Sequence, residues 1–251
     1  MTDRLFGKRV AVTGAGSGIG RAIALRFATE GAHVAALGRT QAKLDSLTAE
    51  ADGAIGILAD VADETSIGAA IERVVQAFGG LDVLVTSAAI QLHGEDRRAH
   101  ELSLEVWSQT LSINLTGVFL TCKYAIAAMM ASGGGSIVNI GSPTGLRGSG
   151  RSYTAYSASK GGVHALTRVL ATDYAADGIR VNTLVPGATA GALIAGLLAD
   201  DEIRASIIAG IPLGRVGRPD EYTGLAVHLA SDESSYSTGA LFVADGGHTI
   251  R

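Results

Sequence analysis

A phenol and an ammonium group stand four residues apart in this 251-residue chain. They are Tyr156 and Lys160, and on a helix this spacing places both side chains on one face. A phenol ordinarily has a pKa of about 10, and a neighbouring positive charge lowers that pKa because it stabilises the phenolate. The pair therefore predicts an acid/base group, although the same spacing also occurs on solvated helices that have no catalytic role.

A glycine-rich turn lies between the first predicted strand, Arg9–Thr13, and the helix that begins at Ile19. Its glycines, Gly14, Gly18 and Gly20, lack Cβ atoms, so backbone N–H groups at the helix N-terminus can approach a pyrophosphate. The spacing G-x-x-x-G-x-G differs from G-x-G-x-x-G, and no Lys-Ser/Thr pair follows as in a P-loop. The turn favours a dinucleotide over a nucleoside triphosphate, with a purely structural connection as the alternative.

The end of the second predicted strand, His33–Leu37, indicates which dinucleotide is bound. Gly38-Arg39-Thr40 supplies no carboxylate for a ribose 2′-OH, whereas the guanidinium fork of Arg39 suits a 2′-phosphate. We expect a preference for NADP(H), with NAD(H) still possible. The alternative is that Arg39 is only a solvated turn residue, since Ser17 provides no second positive charge.

Composition limits the class of protein. With 47% hydrophobic residues, 18% charged residues and a net charge of −4, residues 1–251 are expected to form one globular domain without a basic nucleic-acid surface. The single cysteine, Cys122, indicates a reducing, cytoplasmic environment. The sequence has no apolar signal region at residues 1–8 and no unbroken apolar stretch of membrane-spanning length, so no membrane association is expected. Its six histidines do not show metal-ligand spacing, so no metal site is predicted.

Short β-rich segments alternate with longer amphipathic ones along the chain. Runs such as Val83-Leu84-Val85 are apolar without alternation, which is typical of strands that are buried on both faces. The pattern predicts an α/β fold: a Rossmann-type, doubly wound, parallel seven-stranded sheet with helices on both faces. The predicted strands are Arg9–Thr13, His33–Leu37, Ala54–Ala59, Asp82–Ser87, Ser136–Ile140, Arg180–Leu184 and Leu241–Ala244.

Taken together, these features resemble the short-chain dehydrogenase/reductase family, in its single-domain branch of roughly this length, from Lys8 to Gly247. Further matching pieces are Asp60-Val61, Asn114 within Ser112–Gly117, Ser142 after Ile137–Gly141, Val185-Pro186-Gly187, Pro212–Arg215, Thr238-Gly239 and Asp245–Gly247.

The resemblance implies roles for four residues. Tyr156 would donate or accept the proton, Lys160 would lower its pKa and bind the nicotinamide ribose, Ser142 would hold the carbonyl oxygen, and Asn114 would hold a water in a proton relay. Tyr153 has no lysine four residues later, so we expect it at the mouth of the pocket. The implied cofactor contacts are Gly14, Ser17, Gly18, Ile19, Gly20, Arg39, Thr40, Asp60, Val61, Ser87, Ala88, Ala89, Tyr156, Lys160, Pro186, Gly187 and Thr189.

The chain departs from the family pattern at three places. Thr86-Ser87-Ala88-Ala89 replaces the usual Asn-Asn-Ala-Gly, so we expect altered packing around the ribose. The usual threonine near the carboxamide would fall at Gly191, so either Thr189 makes that contact or no residue does. One extra residue between Ser142 and Tyr156 is expected within 147–151.

The resemblance also suggests a substrate lid at about 189–213. Residues 192–198 are nearly all apolar, which favours an uncharged ketone or secondary alcohol, although an amphipathic helix packed on the protein body would look the same. The charged loop 91–98 is interpreted as solvated. The resemblance also implies a homotetramer that assembles through the helices predicted at Leu102–Ala131 and Ala155–Ala176, whose small residues would permit close contact between copies.

The expected function is therefore an NADP(H)-dependent oxidoreductase that interconverts a carbonyl and an alcohol. An NAD(H)-dependent alcohol dehydrogenase and a cofactor-binding regulatory protein without turnover stay open as alternatives. A cofactor-free lyase similar to halohydrin dehalogenases would have Arg at position 160 and would lack the glycine-rich turn, so the sequence argues against it.

Overall fold

Seven parallel strands form one sheet in the computed structural model, which describes residues 3–148 and 153–250. The strand order is β3-β2-β1-β4-β5-β6-β7, and every neighbouring pair is parallel. This confirms the predicted fold, and the strand ends differ from the prediction by at most two residues. The strands are β1 Arg9–Thr13, β2 His33–Gly38, β3 Ile55–Leu58, β4 Val83–Thr86, β5 Gly135–Ile140, β6 Ile179–Pro186 and β7 Leu241–Ala244.

Helices cover both faces of this sheet and create two apolar cores. One core packs α3, α5 and α6 on the sheet, and the other packs α1, α2 and α9 on the opposite face. Burial on both faces explains why the central strands lack polar alternation. The helices are α1 Gly18–Thr29, α2 Gln41–Glu50, α3 Glu64–Phe78, α4 Leu104–Leu111, α5 Gly117–Ala131, α6 Thr154–Asp173, α7 Ala195–Ala199, α8 Asp201–Ala209 and α9 Thr223–Ala230.

The helix predicted at Leu102–Ala131 is continuous but not uniform. Its α4 and α5 parts are joined by a π-helical segment, Ser112–Thr116, that the sequence analysis did not predict. By length and composition the whole helix could cross a membrane even with Lys123 inside it. Half of its most apolar stretch is nevertheless buried within the protein, as in a core helix.

Strands β1 and β4 are neighbours in the sheet although two other strands separate them in the chain. This is the point where the strand order reverses, and in open α/β sheets ligands bind in the crevice at the carboxyl ends of such strands. Thr13 and Thr86 pair there, directly before the glycine-rich turn and the segment 87–89. The extra residue predicted within 147–151 falls mainly at positions outside the described part of the chain.

Candidate active site

A cavity of about 960 Å³ runs along the carboxyl edge of the sheet. Its walls are formed by the segments after β1, β2, β4, β5 and β6, the first turns of α6, and the region from Pro186 to Ile211. Every predicted catalytic and cofactor-contacting residue lines it except Gly20 and Asn114. The sequence analysis thus located the cavity, and the structure adds how its side chains are held.

Three side chains converge where β5 meets α6. Ser142 follows β5, and its hydroxyl lies 3.1 Å from the hydroxyl of Thr144. It also lies close enough to the phenol of Tyr156, on the first turn of α6, to lower the pKa of that phenol. Lys160, one turn later, has its Nζ 5.9 Å from the centre of the Tyr156 ring and donates to the carbonyl oxygen of Ile140 at 2.8 Å. Tyr156 is 7% exposed and Lys160 is 3% exposed, so both are largely removed from water.

The predicted lowering of the Tyr156 pKa is wrong for this form of the protein. Burial raises the pKa of Tyr156 to about 12, and the nearby hydroxyl of Ser142 offsets only part of that rise. The ammonium of Lys160 does not counter it, because that group is directed to the Ile140 carbonyl. Burial also lowers the pKa of Lys160, to about 8. Tyr156 is therefore a protonated phenol at neutral pH.

A carboxylate from a distant loop holds the turn that carries Tyr156. Asp96 is 4% exposed, and its two oxygens accept hydrogen bonds from the backbone N–H groups of Ala155 at 3.0 Å and of Tyr156 at 2.9 Å. These donors at the start of a helix have no partner within the helix. The sequence analysis interpreted this loop as solvated and missed Asp96, because no local pattern connects it to a helix that begins 58 residues later.

Asn114 lies within the π-helical segment, next to the cavity but not on its lining. Its side-chain amide forms two hydrogen bonds of 2.8 Å with the backbone of Ile90 and a third, of 3.3 Å, with the hydroxyl of Ser159. Ser159 in turn donates to the carbonyl oxygen of Tyr156 at 2.7 Å. Asn114 therefore connects the segment after β4 to the catalytic part of α6.

The glycine-rich turn packs directly against the segment after β4. Gly14 has φ +67°, and a Cβ there would lie 2.7 Å from the backbone nitrogen of Ala88, so only glycine fits. A Cβ at Gly20 would lie 2.6 Å from the carbonyl oxygen of Gly14, which gives Gly20 a packing position behind the cavity. Ser17 makes no side-chain hydrogen bond to the first turn of α1, so its hydroxyl does not occupy the N–H groups there.

Hydroxyl groups replace part of the amide network that the family pattern has after β4. Thr86 donates to the side-chain oxygen of Asn139 on β5 at 2.7 Å. The hydroxyl of Thr13 on β1 accepts from the backbone nitrogen of Ser87 at 3.1 Å. The loop that separates the glycine-rich turn from the catalytic residues is thus tied to both neighbouring strands.

Two positive side chains lie beside the end of β2. Arg39 and Lys43 are both exposed and line the cavity, and neither has a hydrogen bond or ion pair with the described residues. Lys43 packs on the glycine-rich turn, because a Cβ built on Gly16 would lie only 3.1 Å from the Cβ of Lys43. The sequence analysis missed Lys43, although its position four residues after Arg39 was the available signal.

The segment after β6 forms the wall opposite the glycine-rich turn. The Thr189 hydroxyl donates to the carbonyl oxygen of Gly187 at 2.8 Å and shares a 2.7 Å hydrogen bond with Tyr222. Beyond it, the side chains of Leu193, Ile194, Leu197, Ile207 and Ile211 line the cavity.

The loop after β4 contacts this segment through one histidine. His93 Nε2 lies 2.8 Å from the carbonyl oxygen of Leu193, so it must carry the hydrogen. The His93 ring also contacts the ring of Tyr153, with 5.8 Å between centroids, and both residues line the cavity. The two loops therefore approach each other over the cavity.

Comparison with known proteins places this arrangement in context. A family model described as enoyl-(acyl carrier protein) reductase matches residues 14–249. The chain is 43% identical to cis-4-hydroxycyclohexanecarboxylate dehydrogenase from Sinomonas cyclohexanicum, over 97% of this chain and 98% of the relative. It is 42% identical to D-threitol dehydrogenase from Mycolicibacterium smegmatis, over 99% and 95% of the two chains.

Solved structures agree with these matches. A short-chain type dehydrogenase/reductase from Mycobacterium marinum has a TM-score of 0.92 at 36% identity, covering 98% of this chain and 97% of that chain. A structure described as an NAD(P)-dependent gluconate 5-dehydrogenase from Beutenbergia cavernae, with NADP bound at low occupancy, has a TM-score of 0.90 at 42% identity, with 98% of each chain covered.

Proposed function

The chain belongs to the short-chain dehydrogenase/reductase family, and we propose that it is an NADP(H)-dependent oxidoreductase that interconverts a ketone or aldehyde and an alcohol. Its relatives are named as dehydrogenases and reductases, which fixes the oxidoreductase class. One observation carries the residue assignment: Ser142 and Tyr156 line the same cavity beside the buried Lys160.

The shape and charge of the cavity fit a nicotinamide dinucleotide. The glycine-rich turn leaves space where a Cβ at Gly18 would meet no other atom within 4 Å, at the N-terminus of α1. Arg39 and Lys43 provide two positive charges for a 2′-phosphate, with no carboxylate at the end of β2. When bound, the cofactor supplies or accepts the hydride.

The remaining proposed cofactor contacts lie beyond the glycine-rich turn and the two cations. Asp60 and Val61 would contact the adenine, segment 87–89 the ribose, and segment 186–189 the carboxamide. The Thr189 hydroxyl donates its one hydrogen to the carbonyl oxygen of Gly187 and accepts from the hydroxyl of Tyr222 with one of its two lone pairs. Its second lone pair can therefore accept a hydrogen bond from the carboxamide.

In the reduction direction, Ser142 and Tyr156 hold the substrate carbonyl oxygen between their hydroxyls. Hydrogen bonds that are set in advance toward an oxygen that gains negative charge stabilise the transition state more than the ground state. Tyr156 then gives its proton to that oxygen, and its raised pKa keeps the phenol in the required protonated form. We assign the resupply of the proton to Lys160, whose pKa of about 8 lies close to neutral pH.

We assign Asn114 two tasks. It holds the segment after β4 against α6 through Ile90 and Ser159, and it supports the water that passes a proton from solvent to Lys160. Oxidation of an alcohol uses the same groups in reverse and begins from the phenolate of Tyr156.

We also propose a cytoplasmic homotetramer in which residues 189–213 act as a lid over the substrate. The single cysteine, Cys122, is buried, which suits a reducing compartment. Apolar side chains on α5, α6 and β7 are partly exposed, namely Phe119, Met130, Val169 and Val243. Such faces are available for contact between copies of the chain.

Substitution of Tyr156→Phe tests the proposal. It removes the proton donor and keeps the ring, so kcat with NADPH and a panel of ketones and aldehydes should fall by about 10²- to 10⁴-fold. NADPH binding, followed by fluorescence titration, should be retained. Tyr236→Phe is the matched control, because Tyr236 is fully exposed and lies outside the cavity lining. Undiminished turnover by the Tyr156 variant would remove Tyr156 from the mechanism.

A further inference from the structure

We propose that the substrate carries a carboxylate, and that Arg147, held in place by His248, binds it at the substrate end of the cavity. This inference rests on the proposed oxidoreductase function and specifies its substrate class. It replaces the uncharged substrate that the apolar lid sequence predicted. The chemistry implied is the interconversion of an oxo acid and a hydroxy acid with an apolar frame between the carbonyl and the acid group.

The position of Arg147 in the fold separates it from Arg39. Arg147 follows Ser142 by five residues, after β5, whereas Arg39 follows β2. In the strand order, β5 lies three positions from β2, which is roughly 14 Å across the sheet at the usual strand spacing. Arg147 therefore lines the cavity from the segment after the strand that precedes Ser142, three strands away from the strand that precedes Arg39.

A hydrogen-bonded chain fixes the guanidinium. An Nη of Arg147 lies 2.9 Å from Nε2 of His248, and Nδ1 of the same ring lies 2.9 Å from the carbonyl oxygen of Gly210. A guanidinium only donates and a carbonyl oxygen only accepts, so His248 must carry its hydrogen on Nδ1 and accept at Nε2. In this tautomer the imidazole is neutral, so His248 accepts a hydrogen bond from Arg147 and adds no charge of its own.

His248 reaches this position from the segment after β7, and Gly210 ends α8 of the proposed lid. A Cβ at Gly210 would lie 3.4 Å from the His248 ring, so the contact is close-packed. Three chain segments thus meet around the side chain of Arg147. A positive group held in this way loses little side-chain freedom when a carboxylate binds, and the fork of a guanidinium matches the two oxygens of a carboxylate.

The surroundings of Arg147 favour an anion with an apolar body. Leu197, Ile207 and Ile211 line the same cavity from the lid. One carboxylate outside the cofactor region, Glu95, also lines it, but this residue is exposed, so solvent screens its repulsion of an anionic ligand. The apolar side chains of the lid then cover the apolar part of the substrate, and Arg147 binds the carboxylate at its end.

Matched substrate pairs test the assignment. The probes are 4-oxocyclohexanecarboxylate, 4-oxopentanoate and 4-acetylbenzoate, each compared with its own methyl ester, which differs mainly in charge. The wild-type protein with NADPH should show a higher kcat/KM for at least one acid than for its ester. In Arg147→Gln, KM for that acid should rise about 10- to 100-fold with a much smaller change in kcat, while the ester is unaffected.

Two further variants sharpen the test. Arg73→Gln removes the same charge from an exposed position on α3 outside the cavity and should retain the acid preference. Arg147→Lys keeps the charge without the fork, so it should recover part of the loss.

The possible outcomes separate the two proposals. If no acid is preferred while neutral ketones are reduced, or if Arg147→Gln keeps the wild-type preference for an acid, the carboxylate site is overturned and the oxidoreductase proposal stands. If no carbonyl compound in the full ketone and aldehyde panel supports NADPH oxidation, the proposed function itself fails, and this inference fails with it.

Discussion

The two edges of the sheet treat charged side chains differently. At the amino edge, Arg9 at the start of β1 pairs with Asp82 before β4 through contacts of 2.6 and 2.8 Å, and Lys8 pairs with Asp232 at 3.2 Å. At the carboxyl edge, Arg39 and Lys43 have no acidic partner among the described residues.

The lysine that we propose to resupply the proton shows the same difference. Lys160 is almost fully buried, yet among the described residues its ammonium is bonded to a carbonyl oxygen and not to a carboxylate. A protein that optimised only stability would neutralise a buried charge or leave it in water. We infer that the cations Lys8 and Arg9 at the amino edge serve the fold, and that the cations Arg39, Lys43 and Lys160 at the carboxyl edge serve ligand binding and proton transfer.

One serine on β5 and one just after it give the largest expected contrast. Ser142→Ala removes the second donor to the carbonyl oxygen and should lower kcat by about 100-fold with the fold intact. Ser136, near the opposite end of β5, is equally buried and donates to the carbonyl oxygen of Leu229 at 2.8 Å. Ser136→Ala should cost about 1 kcal/mol of unfolding free energy and leave kcat unchanged. Steady-state kinetics and urea unfolding measure both, and equal kinetic effects of the two changes would contradict the contrast.

The unpaired cations at the end of β2 should affect cofactor choice alone. Arg39→Ala is expected to raise KM for NADPH about 10-fold, and adding Lys43→Ala should increase the effect, because each removes a charge from the 2′-phosphate. KM for NADH should change little in either variant. Arg73→Ala serves as the control. Equal NADH and NADPH efficiencies in the wild-type protein, unaltered by these substitutions, would favour the NAD(H)-dependent alternative.

The buried phenol predicts opposite pH profiles for the two reaction directions. Oxidation requires the phenolate, and because burial raises the pKa of Tyr156 to about 12, kcat for oxidation should climb with pH from 7 to 10. Well below that pKa, kcat for oxidation should rise about tenfold for each pH unit. Reduction requires the protonated phenol and a proton on Lys160, whose pKa is about 8, so its kcat should fall above that pH. Initial rates in both directions across this range provide the measurement, and an oxidation rate that declines with pH would exclude this assignment.

Breaking a pair at the amino edge should have the smallest effect on activity. Asp82→Asn leaves Arg9 without its charged partner and should lower the unfolding free energy by about 2 kcal/mol. That loss corresponds to a decrease in Tm of about 5 °C for a chain of this size. Calorimetry and kinetics on the same sample test the claim, since kcat and KM should match the wild-type values. A large loss of kcat in fully folded protein would show that the two edges are coupled.

The sequence predicted best what depends on local pattern. Apolar runs such as Val83-Leu84-Val85 located the strands because burial on both faces demands them. The glycine spacing located the turn because a Cβ at Gly14 would collide with Ala88. Most of the predicted cofactor contacts directly follow a strand and line one cavity, while their contacts with a cofactor stay a prediction.

Features that depend on distant contacts or on burial were not predicted. The cap by Asp96 and the contact of His248 with Arg147 join segments that are far apart in the chain, so no spacing rule could find them. The direction of the Tyr156 pKa shift was wrong because the sequence shows a nearby cation but not the loss of water around the phenol. The π-helical segment at Ser112–Thr116 likewise carries no pattern that distinguishes it from the α-helix on either side.

The bond between Asp96 and the start of α6 limits how this enzyme can be re-engineered. The loop that contributes Asp96 also forms part of the cavity wall, so exchanging it for a loop from another enzyme is an obvious route to new selectivity. A graft without a carboxylate at this position would release the first turn of α6 and tilt the proton donor away from its target. Libraries built on this scaffold should therefore keep Asp96 constant while the neighbouring positions vary.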